Sequence, residues 1–241
     1  MTAPLLSVVA PAWNEERYIE TFLEQVSRYL NSTGLPWEII VADDGSSDRT
    51  AALVEAWTRS DARVRLVSES HSGKGGALRA GMRAAHGEWR LMADTDLSVA
   101  PGDWAVFVDE IRNPSGAQIV IGSREAAGAR RVGEPVLRHV IGRVFNWVVQ
   151  LLALPGINDT QCGFKMFSRA ASGLFAHLTI EGFAFDVELL FLARRAGFTI
   201  REAGILWVCR RDSRVRLSRG AAAFLDVARI RVKYLKMNKL R

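Results

Sequence analysis

The stretch LMADTDLSVAP, residues 91–101, ends an apolar run with two aspartates, Asp94 and Asp96, which stand one residue apart. The apolar run predicts a buried strand, and in an extended segment residues i and i+2 point to the same side. Both carboxylates can therefore aim at one point, where like charges raise a pKa or need a cation between them. Mg²⁺ or Mn²⁺ suits carboxylate oxygens and keeps positions for phosphate oxygens. The alternative is that Asp94 is structural and Asp96 caps the next helix.

The sequence around this stretch alternates between strand and helix patterns. The apolar runs that predict strands are LLSVVAP, WEIIVADDG, RVRLVSE, EWRLMADTD and AQIVIGS, and segments with helical spacing lie between them. Ser47 or Asp48 is the expected cap of the second helix. The alternation predicts an α/β fold with a Rossmann-like, open, mostly parallel sheet and helices on both faces.

This alternation stops after Arg124. A polar, Gly-rich segment, REAAGARRVGEP, precedes a helix over VLRHVIGRVFNWVVQLLAL, a loop and strand over DTQCGFKMF, a helix over AFDVELLFLARRAG and a strand over TIREAGILWV. The tail AAAFLDVARIRVKYLKMNKLR has a helical pattern with an apolar and a cationic side. We expect one compact domain over residues 1–218 and a basic amphipathic helix over residues 219–241.

The composition narrows the class of protein. With 241 residues, 49% hydrophobic and 24% charged, the chain can form a sizeable core and is not expected to be disordered. The net charge of +6 favours an anionic partner, such as a nucleotide, a nucleic acid or a membrane surface. The two cysteines lack a CxxC spacing, which is typical of free thiols in a reducing compartment. No signal-peptide pattern and no apolar stretch of about 20 residues is found, so we expect a cytoplasmic protein, peripheral at the membrane.

Polar clusters follow four of the predicted strands: PAWNEE, DDGSSD, SGKGG and DTD. Ligands of open α/β sheets bind beyond the carboxyl ends of the strands, so four such clusters indicate a ligand site. DDGSSD alone is equally explained by a helix cap and a tight turn. Lys74 stands between two glycines at a helix start, where anions are favoured. The Walker spacing and the dinucleotide GxGxxG are both absent, which disfavours a P-loop NTPase and an NAD enzyme.

Seven stretches together carry a resemblance to a known family: SVVAPAWNEE, VADDGSSDRT, GKGGALRAGM, MADTDL, IVIGSR, DTQCGFKMF and GFAFDVELL. They resemble the family-2 glycosyltransferases of GT-A fold, and more closely the dolichyl-phosphate (polyprenyl-phosphate) β-glucosyltransferases. The resemblance covers nearly the whole chain, and DTQCGFK and FDVELL are its more specific motifs. It implies a nucleotide-sugar donor of UDP-glucose or GDP-mannose type, a polyprenyl-phosphate acceptor and inversion at the sugar carbon.

The resemblance also implies residues that bind the donor. Pro11, Trp13 and Glu15 would lie in the nucleotide-binding first loop, with Trp13 where an aromatic side chain contacts the base or the ribose. Asp43 would bind the edge of the base. Lys74 would line the nucleotide pocket.

Asp94 and Asp96 match the motif that binds the metal, Mg²⁺ or Mn²⁺, and the diphosphate. Related mannosyl enzymes have a glutamine two residues beyond the second aspartate, where this sequence has Ser98. Arg124 and Arg131 match basic positions near the phosphates, and guanidinium groups stabilise charge that grows on a leaving phosphate. We therefore expect Asp96, Arg124 and Arg131 to be catalytic and the Gly-rich segment to be a lid. The alternative for any single arginine is a solvated surface charge.

On the acceptor side the resemblance places Gln161 and Lys165, from DTQCGFK, and we add Asp186 from FDVELL. Asp186 and Glu188 are two residues apart on a predicted helix and do not face each other, so at most one can point at the sugar. A phosphate acceptor would make a general base unnecessary, since its oxygen is already charged at neutral pH.

Three functions remain open at this point. The first is a membrane-associated transferase that makes a polyprenyl-phosphate sugar, with a nucleotide sugar, the lipid phosphate and a membrane surface as partners, and no nucleic acid. The C-terminal helix would then bind anionic lipid, and RRDSRVRLSRG would bridge the site to the membrane, although the helix could equally pack on the domain. The second function moves the sugar to a hydroxyl of a saccharide or small molecule. The third, a non-catalytic binding module, leaves DTD and GKGG unexplained.

Overall fold

The computed structural model describes residues 3–180, 182, 184–210 and 217–235, with the backbone alone at 217–222 and 235. Most of the predicted bridge RRDSRVRLSRG and the last residues of the basic tail lie outside the described residues. The side chains of the C-terminal helix are described from Ala223 to Tyr234.

Up to residue 123 the described elements alternate between strand and helix, as the sequence predicts. The strands are β1 (Leu6–Ala12), β2 (Trp37–Asp43), β3 (Val64–Ser68), β4 (Trp89–Met92), β5 (Ile119–Ser123), β6 (Arg130–Val132), β7 (Lys165–Ser168), β8 (Ile200–Gly204) and β9 (Leu206–Val208). The helices are α1 (Ile19–Thr33), α2 (Thr50–Ser60), α3 (Lys74–Ala84), α4 (Ala105–Arg112), α5 (Val136–Leu152), α6 (Arg169–Ser172), α7 (Phe185–Arg195) and α8 (Leu217–Leu235). Short 3₁₀ helices cover Pro101–Trp104 and Gly173–His177.

Seven strands form one sheet in the order β3-β2-β1-β4-β7-β5-β8. Neighbouring strands pair in parallel except at β7, which is antiparallel to both β4 and β5. The predicted open, mostly parallel sheet is therefore confirmed. The insertion of β7 sets Lys165 opposite Met92, close to the end of β4. The short strands β6 and β9 form a separate parallel ribbon.

Helices cover both faces of the sheet, because side chains of each strand alternate between two hydrophobic clusters. In β1, Val9 belongs to the cluster that includes α3, α5, α7 and α8. Its neighbours Val8 and Ala10 belong to the cluster that includes α1 and α4. Burial on both faces explains why the central strands read as nearly continuous apolar runs.

The geometry predicted around Asp94 and Asp96 is wrong. β4 ends at Met92, and the chain then turns before Leu97, whose φ is +52°. The two aspartates are therefore not alternate residues of an extended strand. The turn forms because Asp96 Oδ1 accepts the Ser98 amide at 2.9 Å, a local bond that competes with strand pairing.

Two predicted helix starts also differ in the structure. The N-cap position of α2 is Arg49 rather than Ser47 or Asp48. The Asp48 carboxylate still accepts the Thr50 amide at 2.9 Å, so it satisfies one donor of the first turn. The helix expected between the fourth and fifth predicted strands begins as a 3₁₀ turn at Pro101 and continues as α4.

α8 packs on the rest of the domain and also presents apolar side chains outward. Four of its side chains are buried in the cluster that holds α5 and α7: Ala223, Val227, Ile230 and Tyr234. Leu225, Ala228, Val232 and Leu235 form the apolar stripe expected from the helical pattern of the tail, and Leu225 and Val232 are exposed. The domain boundary at residue 218 stays a prediction. Among the described residues, we find no helix with the length and apolar character needed to cross a membrane.

Two helical glycines test this packing. A Cβ at Gly81 of α3 would lie 2.5 Å from Cγ1 of Val9 and 3.2 Å from Cβ of Ala42, whereas a Cβ at Gly142 of α5 would have nothing within 4 Å. We expect Gly81→Ala to lower the free energy of unfolding by about 1–3 kcal/mol through overpacking. Gly142→Ala should raise it by about 0.5–1 kcal/mol. Urea unfolding measures both, and equal stability of the two variants would contradict the close packing of Gly81 against β1 and β2.

Candidate active site

The loops that follow β1 and β2 are joined by hydrogen bonds. The Asn14 amide donates to Ser46 Oγ at 2.9 Å, and the Asn14 side chain accepts the Ser47 amide at 2.8 Å. Asp43, at the end of β2, is buried and accepts the Ser46 hydroxyl at 2.5 Å and the Ser46 amide at 3.2 Å. Asp43, predicted to bind a base edge, therefore also shapes the loop beside the predicted nucleotide site.

Asp44, the next residue, fixes the start of α3. Its carboxylate accepts the amides of Ser72 at 2.7 Å and Gly73 at 3.0 Å, and lies 2.8 Å from Nδ1 of His71. Gly73 has a φ of +85°, a conformation that residues with a side chain rarely adopt. The role of Asp44 was not predicted from the sequence, where its only signal is a second aspartate in the DDG that ends a strand. This clamp positions Lys74, the first residue of α3.

An aromatic surface lies at the same edge of the sheet. The rings of Trp13 and His71 stack with centroids 4.9 Å apart and planes at 29°, and Trp13 is 40% exposed. Pro11 is the second-last residue of β1, and the Glu15 amide donates to Thr50 Oγ1 at 2.8 Å. Pro11 and Glu15 thus precede and follow Trp13 in the chain, and the Trp13 ring is a flat, accessible surface that a base could stack on.

Lys74 and Asp94 form an ion pair, with Nζ donating to Oδ1 at 2.6 Å. Burial alone would lower the Lys74 pKa, but Asp94, Asp186 and Asp96 outweigh it and raise the pKa. Burial and the neighbouring Asp94 raise the pKa of Asp96. The backbone of Gly163 lies so close to the Asp94 carboxylate that a Cβ would collide with it. Two sequence motifs, DTD and DTQCGFK, thus meet at one carboxylate.

Asp94 and Asp96 have the chemistry that a hard divalent cation requires. Across the part of the chain that the structure describes, no group of three or more His, Cys, Asp or Glu side chains could hold a metal ion. Two carboxylates nevertheless suit a cation that completes its shell with water and substrate phosphate. The raised pKa of Asp96 means that an added positive charge would stabilise its ionised form.

Lys165 and Asp186 form a buried ion pair on the acceptor side. Lys165 is fully buried, and its Nζ donates to Asp186 Oδ1 at 2.5 Å and to the carbonyl oxygen of Cys162. Burial raises the pKa of Asp186 more than Lys165 and Lys74 lower it. The structure thus brings together Lys165 and Asp186, two of the three predicted acceptor-side residues, and pairs them with each other.

Glu188, two residues further along α7, points elsewhere. Its carboxylate is fully buried and accepts the Thr179 amide at 2.9 Å, the Ile180 amide at 2.9 Å and the Tyr234 hydroxyl at 2.7 Å. Burial would raise the Glu188 pKa, but these hydrogen bonds lower it. The Ile180 carbonyl oxygen in turn lies 3.1 Å from where a Cβ of Gly75 would be. Glu188 therefore links α8 to the segment that borders α3.

The two predicted phosphate-binding arginines are both paired with carboxylates. Arg124 donates from Nε and Nη2 to Asp159 at 2.7 and 2.8 Å. Burial would raise the Asp159 pKa, but Arg124 outweighs it and lowers the pKa. The Arg131 guanidinium donates to Glu134 at 2.5 Å and to Glu125. The sequence indicates the two arginines. It does not indicate that Arg124 pairs with Asp159 or that Arg131 pairs with Glu134 and Glu125.

Gln161 has a donor that no described residue uses. Its Nε2 is buried and has no hydrogen-bond partner among the described residues, whereas its backbone amide donates to Asp159 Oδ1 at 3.2 Å. A narrow recess begins at the next residue, Cys162. Its lining consists of Ala93, Asp94, Ser98, Val99, Cys162, Gly163, Phe164 and Trp207. Buried donors without partners are rare in native proteins, and among the described residues Arg90 and Arg201 each have one as well. Of the three residues, only Gln161 lies in a motif that the sequence assigns to the site.

Comparison with known proteins agrees with this geometry. Residues 7–173 match the family model described as glycosyl transferase family 2. A dolichyl-phosphate beta-glucosyltransferase of Dictyostelium discoideum is 35% identical over 246 residues, covering 95% of this chain and 75% of the relative. A human protein of the same name is 35% identical over 217 residues, covering 84% of this chain and 67% of the relative.

Solved structures show the same fold. Glucosyl-3-phosphoglycerate synthase from Mycobacterium tuberculosis, in complex with Mn²⁺, UDP-glucose and phosphoglyceric acid, aligns with a TM-score of 0.71 at 22% identity. The alignment covers 98% of this chain and 81% of that chain. The same enzyme with UDP aligns with a TM-score of 0.68. The predicted GT-A fold is confirmed.

The Arg124–Asp159 pair yields a prediction about stability. Asp159→Asn should lower the free energy of unfolding at pH 7 by about 3 kcal/mol, because it leaves a largely buried guanidinium without its charge partner. Glu24→Gln, which breaks an exposed pair with Arg28, should change it by less than about 1 kcal/mol. Urea unfolding measures both.

The pH dependence of that difference has a definite sign. The pKa of Asp159 is lower in the folded chain than the value of about 3.9 for an unfolded aspartate. Its stabilising effect is therefore complete above that value and is lost as the pH falls through the folded pKa. The gap between wild type and Asp159→Asn should narrow below about pH 4. A constant gap would contradict the ion pair.

Proposed function

Because the chain belongs to glycosyltransferase family 2, we propose that it transfers glucose from UDP-glucose to a dolichyl or other polyprenyl phosphate, with inversion at the sugar carbon. The observation that carries this proposal is the identity of 31–36%, over most of the chain, with relatives named dolichyl-phosphate beta-glucosyltransferase. The side chains at the carboxyl ends of the strands support the proposal. They offer the Trp13–His71 surface, the carboxylates of Asp94 and Asp96, and the cations Lys74 and Lys165. We further propose that transfer occurs at the cytoplasmic face of a membrane.

The donor would bind across the ends of β1, β2 and β4. The Trp13–His71 stack offers a surface for the base, and Asp43 lies at the neighbouring strand end for contact with the base edge. Lys74 would exchange its contact with Asp94 for an oxygen of the diphosphate, since an ammonium group serves as a compact point charge for phosphate.

Asp94 and Asp96 are the residues that would hold Mn²⁺ or Mg²⁺. Such a cation, when bound with the diphosphate, neutralises negative charge on the leaving group. The movement of Lys74 away from Asp94 would free the Oδ1 oxygen for this role. The presence of Mn²⁺ beside UDP-glucose in the mycobacterial structure is in keeping with the proposal.

The acceptor phosphate would attack C1 of glucose directly. One of its oxygens forms the new bond to C1 while the bond from C1 to the diphosphate oxygen breaks, and the electron pair leaves with UDP. Attack opposite to the leaving group inverts C1. Arg131 would release Glu134 or Glu125 and bind the acceptor phosphate instead, because a guanidinium group binds phosphate in a bidentate manner. Arg124 and Gln161 would lie beside it.

Removal of one proposed metal ligand is the direct test. Asp96→Asn should weaken Mn²⁺ binding in the presence of UDP, measured by calorimetry, and lower turnover by orders of magnitude. The melting temperature should stay close to that of the wild type, since Asp96 is only partly buried. Asp109→Asn, exposed on α4, is the matched control. Full turnover of Asp96→Asn in the presence of a chelator would rule out the metal role.

The acceptor class can be read from the pH profile. A phosphate monoester has a second pKa of about 6, so it needs no base above pH 7, whereas a hydroxyl does. We expect kcat of wild type to stay flat between about pH 7 and 9. Asp186→Asn should lose activity because Lys165 loses its charge partner and is no longer held in place. The pH profile of the remaining activity should keep the shape of the wild-type profile. Rescue of this variant by an added external base would favour a hydroxyl acceptor instead.

A further inference from the structure

The outward side of α5 is apolar along its whole length. Seven of its large hydrophobic side chains are between 37% and 78% exposed: Val136, Leu137, Val140, Ile141, Val144, Trp147 and Leu151. At about 100° per residue they cover a continuous arc of about 140°, which we name the α5 face. The opposite side, with Phe145, Asn146 and Val149, is buried against the domain. Exposed apolar patches of this kind mark interaction sites.

Basic side chains border the α5 face. The helix contains Arg138, His139 and Arg143 but no aspartate or glutamate. Arg143 is exposed and reaches Glu125 at 3.1 Å, and the Arg138 guanidinium lies 5.5 Å from the Trp207 ring centroid. An apolar face with a cationic border is the composition of a helix that lies in a membrane interface.

The neighbouring helix α8 repeats this composition on a smaller scale. It contacts α5 through an edge-to-face pair, Phe145 and Phe224, with ring centroids 5.1 Å apart. Leu225 and Val232 are exposed on its outward side, and Arg229, exposed beside them, lies 3.0 Å from the carboxylate of Asp226. Two adjoining helices therefore present apolar side chains together with cations.

We propose that the α5 face docks flat on an anionic lipid bilayer. The basic border complements anionic headgroups, and the apolar arc enters the boundary with the acyl chains. A second copy of this chain fits less well, because a two-fold contact sets a patch against itself and brings the two basic borders together. The buried side of α5 stays packed on the domain, so the helix lies along the surface of the bilayer.

Docking by α5 would place the acceptor side of the site at the membrane. The helix directly follows the segment with Arg124 and Arg131 and directly precedes the segment with Asp159 and Gln161. A lipid-linked phosphate lies at the same surface. This step rests on the proposed function, whereas the docking itself does not.

Vesicle sedimentation of the full chain tests the docking. Vesicles of phosphatidylcholine with about 30% phosphatidylserine, and no polyprenyl phosphate, should bind the wild type, with binding reduced at high salt. Leu137→Gln with Trp147→Gln should lower partitioning about tenfold or more, since both side chains would otherwise leave water. The matched pair Leu225→Gln with Val232→Gln has similar exposure on α8 and should lower it less.

Melting temperature and UDP binding of the α5 double variant should equal those of the wild type, because the replaced side chains are exposed. Wild-type partitioning by this variant would overturn the proposal, and so would a loss of dimers, seen by light scattering, in place of a loss of vesicle binding. Vesicle binding without any transfer to polyprenyl phosphate would refute the proposed function and leave the docking intact.

Discussion

A surplus of negative charge where β4 ends is the constraint on which the site depends. Asp94 repels both Asp96 and Asp186 there, and Lys74 and Lys165 balance two of the three charges. Each lysine is positioned by a separate part of the fold. The antiparallel strand β7 brings one of them to the neighbouring strand, and the carboxylate after β2 clamps the loop that carries the other. The three carboxylates can lie close together only because both lysines are positioned beside them.

The sequence predicted the elements and the edge of the sheet where the site lies, because both follow from local patterns. Alternating apolar runs indicate strands, and polar clusters at their ends indicate the ligand edge. What it did not predict depends on contacts between distant residues. Nothing local distinguishes Asp43 from Asp44, yet Asp44 alone receives the amides of the loop before α3. Likewise Arg124 meets Asp159, 35 positions away, and no spacing rule indicates that pairing.

The α5 helix shows a second limit of sequence patterns. Its apolar side chains gather on one side of the helix and its polar ones, such as Arg143 and Gln150, on the other, a pattern typical of a helix whose apolar side faces the core. Only the packing reveals that Phe145 and Val149 turn inward while Trp147 and Leu151 turn outward. The same holds for α8, where the apolar stripe chosen from the sequence lies outward and a different set of side chains is buried. Helical periodicity identifies faces but does not say which of two apolar faces meets the core.

The hydrogen bonds of Glu188 bear on how the chain can be engineered. One buried carboxylate accepts Tyr234 near the end of α8 and Thr179 and Ile180 beside the start of α3. A buried carboxylate that loses a hydrogen-bond donor is destabilised. Removing the last turn of α8, with Tyr234, would therefore destabilise the segment beside α3, where the nucleotide sugar is proposed to bind. Affinity tags and fusion partners therefore belong at the amino end, since β1 begins at the opposite edge of the sheet from the site.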